Sequence, residues 1–162
     1  MKSILALTPW LLCLRLSLPA LSDDNPRIAQ LDQFWSTVAQ AVQSGNFAGY
    51  AATAHPKGVL VNGIRETSYP LETALSGWKA GFEATQSGAM KASVKFRFSK
   101  RMGDETTAHE TGIFLYTTID STGMKTESYI HFEALLVREK QWRLLMEYQK
   151  SRATAAEWAA LE

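Results

Sequence analysis

Cysteine occurs once in the 162 residues, at Cys13, and histidine three times, at His55, His109 and His131. A single thiol excludes an internal disulfide and a thiolate metal site. Three histidines far apart in the sequence form no spaced ligand set, so no metal and no cofactor is expected. The chain also lacks a Lys/Arg run of the length that nucleic-acid or membrane-surface binding needs, and its formal net charge is only +1. Nucleic acid is thereby excluded as a partner. A glycine-rich phosphate loop, a nucleophile elbow and a Ser/His/Asp arrangement are missing as well. No apolar run reaches the ~20 residues of a membrane-spanning helix.

What is present begins with an export-like leader. "MKSILALTPWLLCLRLSLPALSDD" places Lys2 before an apolar stretch, then Ala20-Leu21-Ser22 as a small-x-small cleavage site before Asp23. Residues 1–22 therefore read as a signal peptide and 23–162 as the mature domain, exported to a periplasmic or extracellular location. A plain N-terminal extension is the alternative, since Pro9 and Arg15 interrupt the stretch. Cleavage removes Lys2, Arg15 and no acid, so the formal charge of +1 less these two cations leaves −1. Cys13 leaves too, and Trp10, Leu11 and Leu12 before it are not the small residues of a lipid-anchoring signal. No membrane contact is expected after cleavage.

The 46% hydrophobic content suffices for one core in a chain of this length. Asn25-Pro26 opens an amphipathic helix with Ile28, Leu31, Phe34, Trp35, Val38 and Val42 at helical spacing up to Gly45. Asn46 caps a second, short helix stopped by His55-Pro56. Asn62-Gly63 marks a hairpin-like turn, and Pro70 opens a third helix carrying Leu71, Leu75, Trp78 and Phe82 on one face. After Gly88 the period changes to two. Turns at 102–104 and 120–123 separate long strands, and 153–161 reads as a short terminal helix. Helices followed by four long antiparallel strands imply an α+β domain.

This order, with "TTAHETGIFLYT", a glycine turn, "YIHFEALLVREKQWRLL" and a Ser soon after, resembles the nuclear transport factor 2-like superfamily, particularly its SnoaL-like branch. The resemblance covers roughly Ile28 to Ser151. It implies a cone-shaped curved antiparallel sheet with three N-terminal helices packed on its concave face, a pocket inside, and pairing of copies through the convex side. The superfamily spans isomerases, hydrolases, dehydratases, cyclases and binding domains, so it leaves the chemistry open. An Asp placed like the base of ketosteroid isomerases is absent, and so is an Arg with two Asp partners like those of the epoxide hydrolases.

In the final hairpin, register decides which residues line a pocket, because a slip of one residue exchanges the faces of a strand. A three-residue loop at 138–140 pairs Val137 with Gln141 and separates an apolar face from a polar one. The polar face then carries Tyr129, His131 and Glu133, with His131 directly across from Glu147. A two- or four-residue loop changes the parity. Two readings of the polar face stand: a solvated sheet surface, or a pocket floor in which His131 is oriented by a carboxylate. The candidate ligand-binding residues are Tyr129, His131, Glu133, Glu147 and Trp78, the last a core residue or a pocket roof. His109-Glu110 opens a strand and is expected to be partly exposed.

The function expected is a binding domain for a small, mostly apolar ligand or a partner, not catalytic. The alternative is a cofactor-free isomerase, dehydratase or cyclase using His131 with a glutamate as acid/base. A homodimer through the sheet is expected if the apolar face, with Ile130, Phe132, Trp142, Leu144 and Tyr148, lies uncovered.

Overall fold

The computed structural model describes residues 26–161. The signal-peptide reading and the helix cap at Asn25 lie outside the described residues. Helix α1 (Pro26–Ser44) buries Leu31, Phe34, Trp35, Val38, Ala41 and Val42, the stripe that 3.6-residue periodicity demands. It stops at Gly45, whose φ of +68° suits a residue without a Cβ; a Cβ there would also stand 2.4 Å from the backbone nitrogen of Gln86. Helix α2 (Phe47–Ala52) is capped by Asn46, whose side-chain oxygen accepts from the Gly49 amide at 2.9 Å. Helix α3 (Leu71–Gln86) follows Pro70 and buries Leu71, Ala74 and Phe82. Among the described residues no helix is long and apolar enough to cross a membrane.

The strands are β1 (Ala54–Asn62), β2 (Thr67–Pro70), β3 (Lys91–Gly103), β4 (Thr107–Ile119), β5 (Lys125–Arg138) and β6 (Trp142–Arg152). They form one mixed sheet in the order β2-β1-β6-β5-β4-β3. All neighbours are antiparallel except β1 and β6, which run parallel. The expectation of a wholly antiparallel sheet is corrected here: β1 and β2 add to the four long strands, and β1 joins β6 in the same direction. Asp104 fixes the β3–β4 turn by accepting from the Thr106 and Thr107 amides, each at 2.8 Å; these bonds hold its carboxyl down at about 2.

The helices lie on the concave face. Trp35 of α1 sits in the middle of the core, with ring centroids of Phe34, Phe96, Phe98 and Phe132 at 4.5–5.7 Å. Ile130, Phe132, Trp142 and Leu144 belong to this buried face. The basis for a sheet-mediated dimer on those residues therefore falls, because that face is the core. A short helix α4 (Ala155–Ala159), started by a Thr154/Glu157 capping box, docks on the opposite, convex face. Arg97 stacks 4.4 Å above the Trp158 ring and donates to the Trp158 carbonyl oxygen at 2.7 Å.

Two β-bulges decide which charged residues enter the cone. In β3, Phe98 pairs with Gly112 and Lys100 with Thr111, so Ser99 is the extra residue and Arg101 turns inward opposite Glu110. Gly112 permits this close passage, since a Cβ on it would lie 2.0 Å from the Arg97 carbonyl oxygen. In β6, Leu144 pairs with Leu136 but Met146 pairs with Leu135, which makes Leu145 the extra residue.

Candidate functional site

The bulge at Leu145 reverses the faces of Met146 to Gln149, and a second extra residue in β6, Lys150, restores them for Ser151 and Arg152. Arg138 pairs with Trp142 across a three-residue loop at 139–141, one position later than the expected pairing of Val137 with Gln141. Beyond the bulge Glu147 lies beside Ala134, and Gln149 beside Phe132, both on the concave face. The pairing of His131 with Glu147 is thus corrected: His131 pairs with Ser151 and points to the convex side. There its Nε2 lies 3.2 Å from Glu157 of α4.

A cavity of ≈ 450 Å³ lies between the three helices and the sheet, within the roughly 300–1,000 Å³ typical of small-molecule sites. Helix α2 brings Tyr50, α3 brings Trp78 and Phe82, and α1 brings Trp35, Val38 and Val42. The sheet brings Val94, Phe96, Phe114, Tyr116 and Phe132, and β6 adds Leu144, Glu147 and Gln149. Gly77 and Gly81, one helical turn apart on α3, also line it; a Cβ at Gly77 would meet nothing within 4 Å. Small residues along one edge of α3 leave the cavity its room.

Glu147 is the one lining side chain with a formal charge among the described residues, and no Lys, Arg or His joins it. Gln149 donates to its Oε1 at 2.7 Å. It lies half-buried in the chamber wall, and this desolvation pushes its carboxyl above the ordinary carboxylate range despite the Gln149 bond. Burial, then the nearby Glu147 charge, then Tyr116, raise the Tyr50 phenol, and burial alone raises that of Tyr116. One acid, one amide and two phenols thus form a polar end in an otherwise apolar chamber. They supply acceptors and donors for a ligand's polar group, and a carboxyl able to take or give a proton. Among the described residues no three His, Cys, Asp or Glu gather into a metal-binding group.

Of the residues singled out from sequence, Glu147 and Trp78 line the cavity; Tyr129, His131 and Glu133 do not. Tyr129 donates to Glu127 at 3.1 Å and packs its ring 6.2 Å from Trp158. Glu133 bonds Lys150 at 2.7 Å and His109 at 3.1 Å, and these partners, Lys150 foremost, hold its carboxyl below the usual range. These three belong to the convex surface because β5 keeps strict alternation, with Ile130, Phe132 and Ala134 inward. Sequence reasoning missed Tyr50, Tyr116 and Gln149. Tyr116 could have been found, since it alternates with Phe114 on β4; Gln149 could not, because only the bulge turns it inward. The expectation of partial exposure at Glu110 is also corrected. Its side chain is 0% exposed, accepting from Trp35 Nε1 and from Arg101, which in turn binds Asp32.

The raised Glu147 carboxyl has a consequence for stability. A folded-state pKa above the unfolded value means that the native state holds the proton longer. The penalty is absent below the unfolded value, grows as pH rises through it, and is complete above the folded one. Glu147→Leu is expected to stabilise the protein by roughly 0.5–2 kcal/mol at neutral pH, the common gain from relaxing a functional site. Urea midpoints of both proteins near pH ~4 and ~8 measure it. A difference identical at the two pH values would show that the carboxylate is as well solvated in the fold as in the unfolded chain.

No family model matches the sequence, and no curated protein matches it. Solved structures do. An NTF-2 like protein of unknown function from Shewanella oneidensis is 13% identical, with a TM-score of 0.58 over 75% of this chain and 97% of that one. A ketosteroid isomerase-like protein from Erwinia carotovora atroseptica is 15% identical, with a TM-score of 0.59 over 80% and 98%. ActVI-ORFA from Streptomyces coelicolor is 16% identical, with a TM-score of 0.56 over 76% and 95%. The chain has the α+β, nuclear transport factor 2-like fold, as the sequence resemblance implied. That fold serves ligand binding as well as isomerase and cyclase chemistry.

Proposed function

We propose that this is an exported, non-catalytic binding domain whose cavity holds one small, mostly apolar molecule by its polar end. The observation that carries the reading is the chamber of ≈ 450 Å³ with aromatic and aliphatic walls and its polar side chains gathered around Glu147 and Gln149. Apolar walls supply affinity, and a few convergent polar groups supply orientation. The leader-like residues 1–22 support export. The fluorophore N-phenyl-1-naphthylamine, neutral and apolar, is the probe. It should bind saturably at one site and lose at least about tenfold in affinity in Gly81→Leu, which builds a branched side chain into the chamber. Intact mass of the same protein from the exported fraction reports whether residues 1–22 have been removed. Absence of saturable binding would reject the pocket reading.

A second reading has one observation behind it: a carboxyl that lines the chamber, raised above its ordinary range and beside two phenols, is suited to proton transfer. It is a cofactor-free isomerase, dehydratase or cyclase with Glu147 as acid/base. His131, on the other face of the sheet, has no part in it. A co-purifying ligand recovered unchanged supports the first reading; an isomer formed by the wild type and not by Glu147→Gln supports the second.

A further inference from the structure

The chamber contains an imbalance of charge that general ligand binding does not explain. Its lining holds one acid, Glu147, and no basic side chain. A half-buried carboxyl among apolar walls, given only an amide donor, is costly to keep ionised, and apolar or amide side chains would have served an uncharged ligand at lower cost. Much of the remaining lining is aromatic, with Tyr50 near enough to feel the Glu147 charge. Tyr50 and Trp78 are 6.1 Å apart by ring centroids and nearly perpendicular, and Phe82 lies 4.9 Å from Tyr50. Tyr116 faces the same space from β4. Aromatic faces carry negative quadrupole density, and rings set at angles around a small volume form a cage for a cation.

We propose that the chamber selects a hydrophobic cation, an aromatic or alicyclic amine or quaternary ammonium, whose charged nitrogen sits against Glu147 among Tyr50, Trp78, Phe82 and Tyr116. This rests on the pocket reading above and narrows it to a ligand class. A carboxylate ligand of the same shape meets Glu147 with like charge or a second buried acid, and neither has a cation to offset it. A neutral ligand gains the walls but not the ion pair. The amine brings the charge that the lining lacks, opposite the one acid that it holds. Tyr50 from α2, Tyr116 from β4 and Gln149 from β6 are the titratable and polar groups that face Glu147; α1 and α3 contribute no charged side chain to the lining. The phenols stay protonated throughout, since burial raises both.

Three probes with one ring system test the inference: 1-naphthylmethylamine, 1-naphthalenemethanol and 1-naphthoate, titrated calorimetrically into the full-length protein at pH ~8. The amine is expected to bind at least about tenfold tighter than the alcohol, and the naphthoate more weakly than either. In Glu147→Gln the amine-to-alcohol ratio should fall to about one. Equal affinities for amine and alcohol in the wild type, or a preference that survives in Glu147→Gln, would overturn the cation inference. If the alcohol and N-phenyl-1-naphthylamine still bind in that case, the pocket itself stands. If no member of the series binds and N-phenyl-1-naphthylamine fails as well, both fall together.

Discussion

Glu110→Ala is expected to cost about 3–5 kcal/mol of folding stability, the range for breaking a buried ion pair from one side. Glu110 is the one buried charged residue among those described, at 0% exposure, and two donors depend on it. Trp35 Nε1, in the centre of the core, would lose its acceptor, at the price of an unmet buried donor. The Arg101 side chain, 18% exposed, would keep only Asp32, whose own side chain is 59% exposed and a weak partner in water. One Arg101 nitrogen, Nη2, is already buried without a hydrogen bond, so the guanidinium has no reserve of partners. Urea denaturation measures the loss. The double variant Glu110→Leu with Arg101→Met removes both charges and is expected to recover most of it, since apolar packing replaces buried pairs at little net cost. A single-variant loss below about 1 kcal/mol would mean that the pair is hydrated in solution.

Phe132→Ala carries the second large effect, about 3–5 kcal/mol. Phe132 is 1% exposed and is ringed by Trp35, Phe96, Phe98 and Phe114 at centroid distances of 5.6–6.1 Å. It is at once the floor of the chamber and the packing surface for the tryptophan that holds Glu110. Removing the ring enlarges an existing space, and the sheet backbone on either side prevents the neighbours from closing in. The variant should therefore unfold at lower urea concentration and, while folded, accept probes larger than N-phenyl-1-naphthylamine. Phe132→Leu, which keeps most of the volume, should lose far less. A Phe132→Ala protein as stable as Phe132→Leu would show that the core collapses around the gap.

The sequence alone determined everything whose cause is local. Apolar residues at helical spacing defined α1 and α3, Asn46 defined the start of α2, and the turn chemistry around Asp104 and Asp120 marked the joints of the sheet. The order of these elements sufficed for the α+β, nuclear transport factor 2-like class, because patterning and punctuation are properties of neighbouring residues. The chamber was legible only in part. Trp78 follows from a helix face, whereas His131 lies across from Glu147 only if β5 and β6 alternate without interruption.

Tertiary structure decided what faces the chamber, through partners distant in the chain. Strand β6 is held on one side by β5 and on the other by β1, some ninety residues earlier, in parallel. Both ladders shift register along the same stretch: Ala54 pairs with Leu144, yet Val59 pairs with Met146. Against β1 the surplus lies between Ala54 and Val59, whereas against β5 it is Leu145 of β6 that is extra and turns Glu147 and Gln149 inward; the extra residue at Ser99 does the same for Arg101. A bulge of this kind has no signature in an alternating run, since one inserted residue reverses every later side chain while leaving the pattern of residue types as it was.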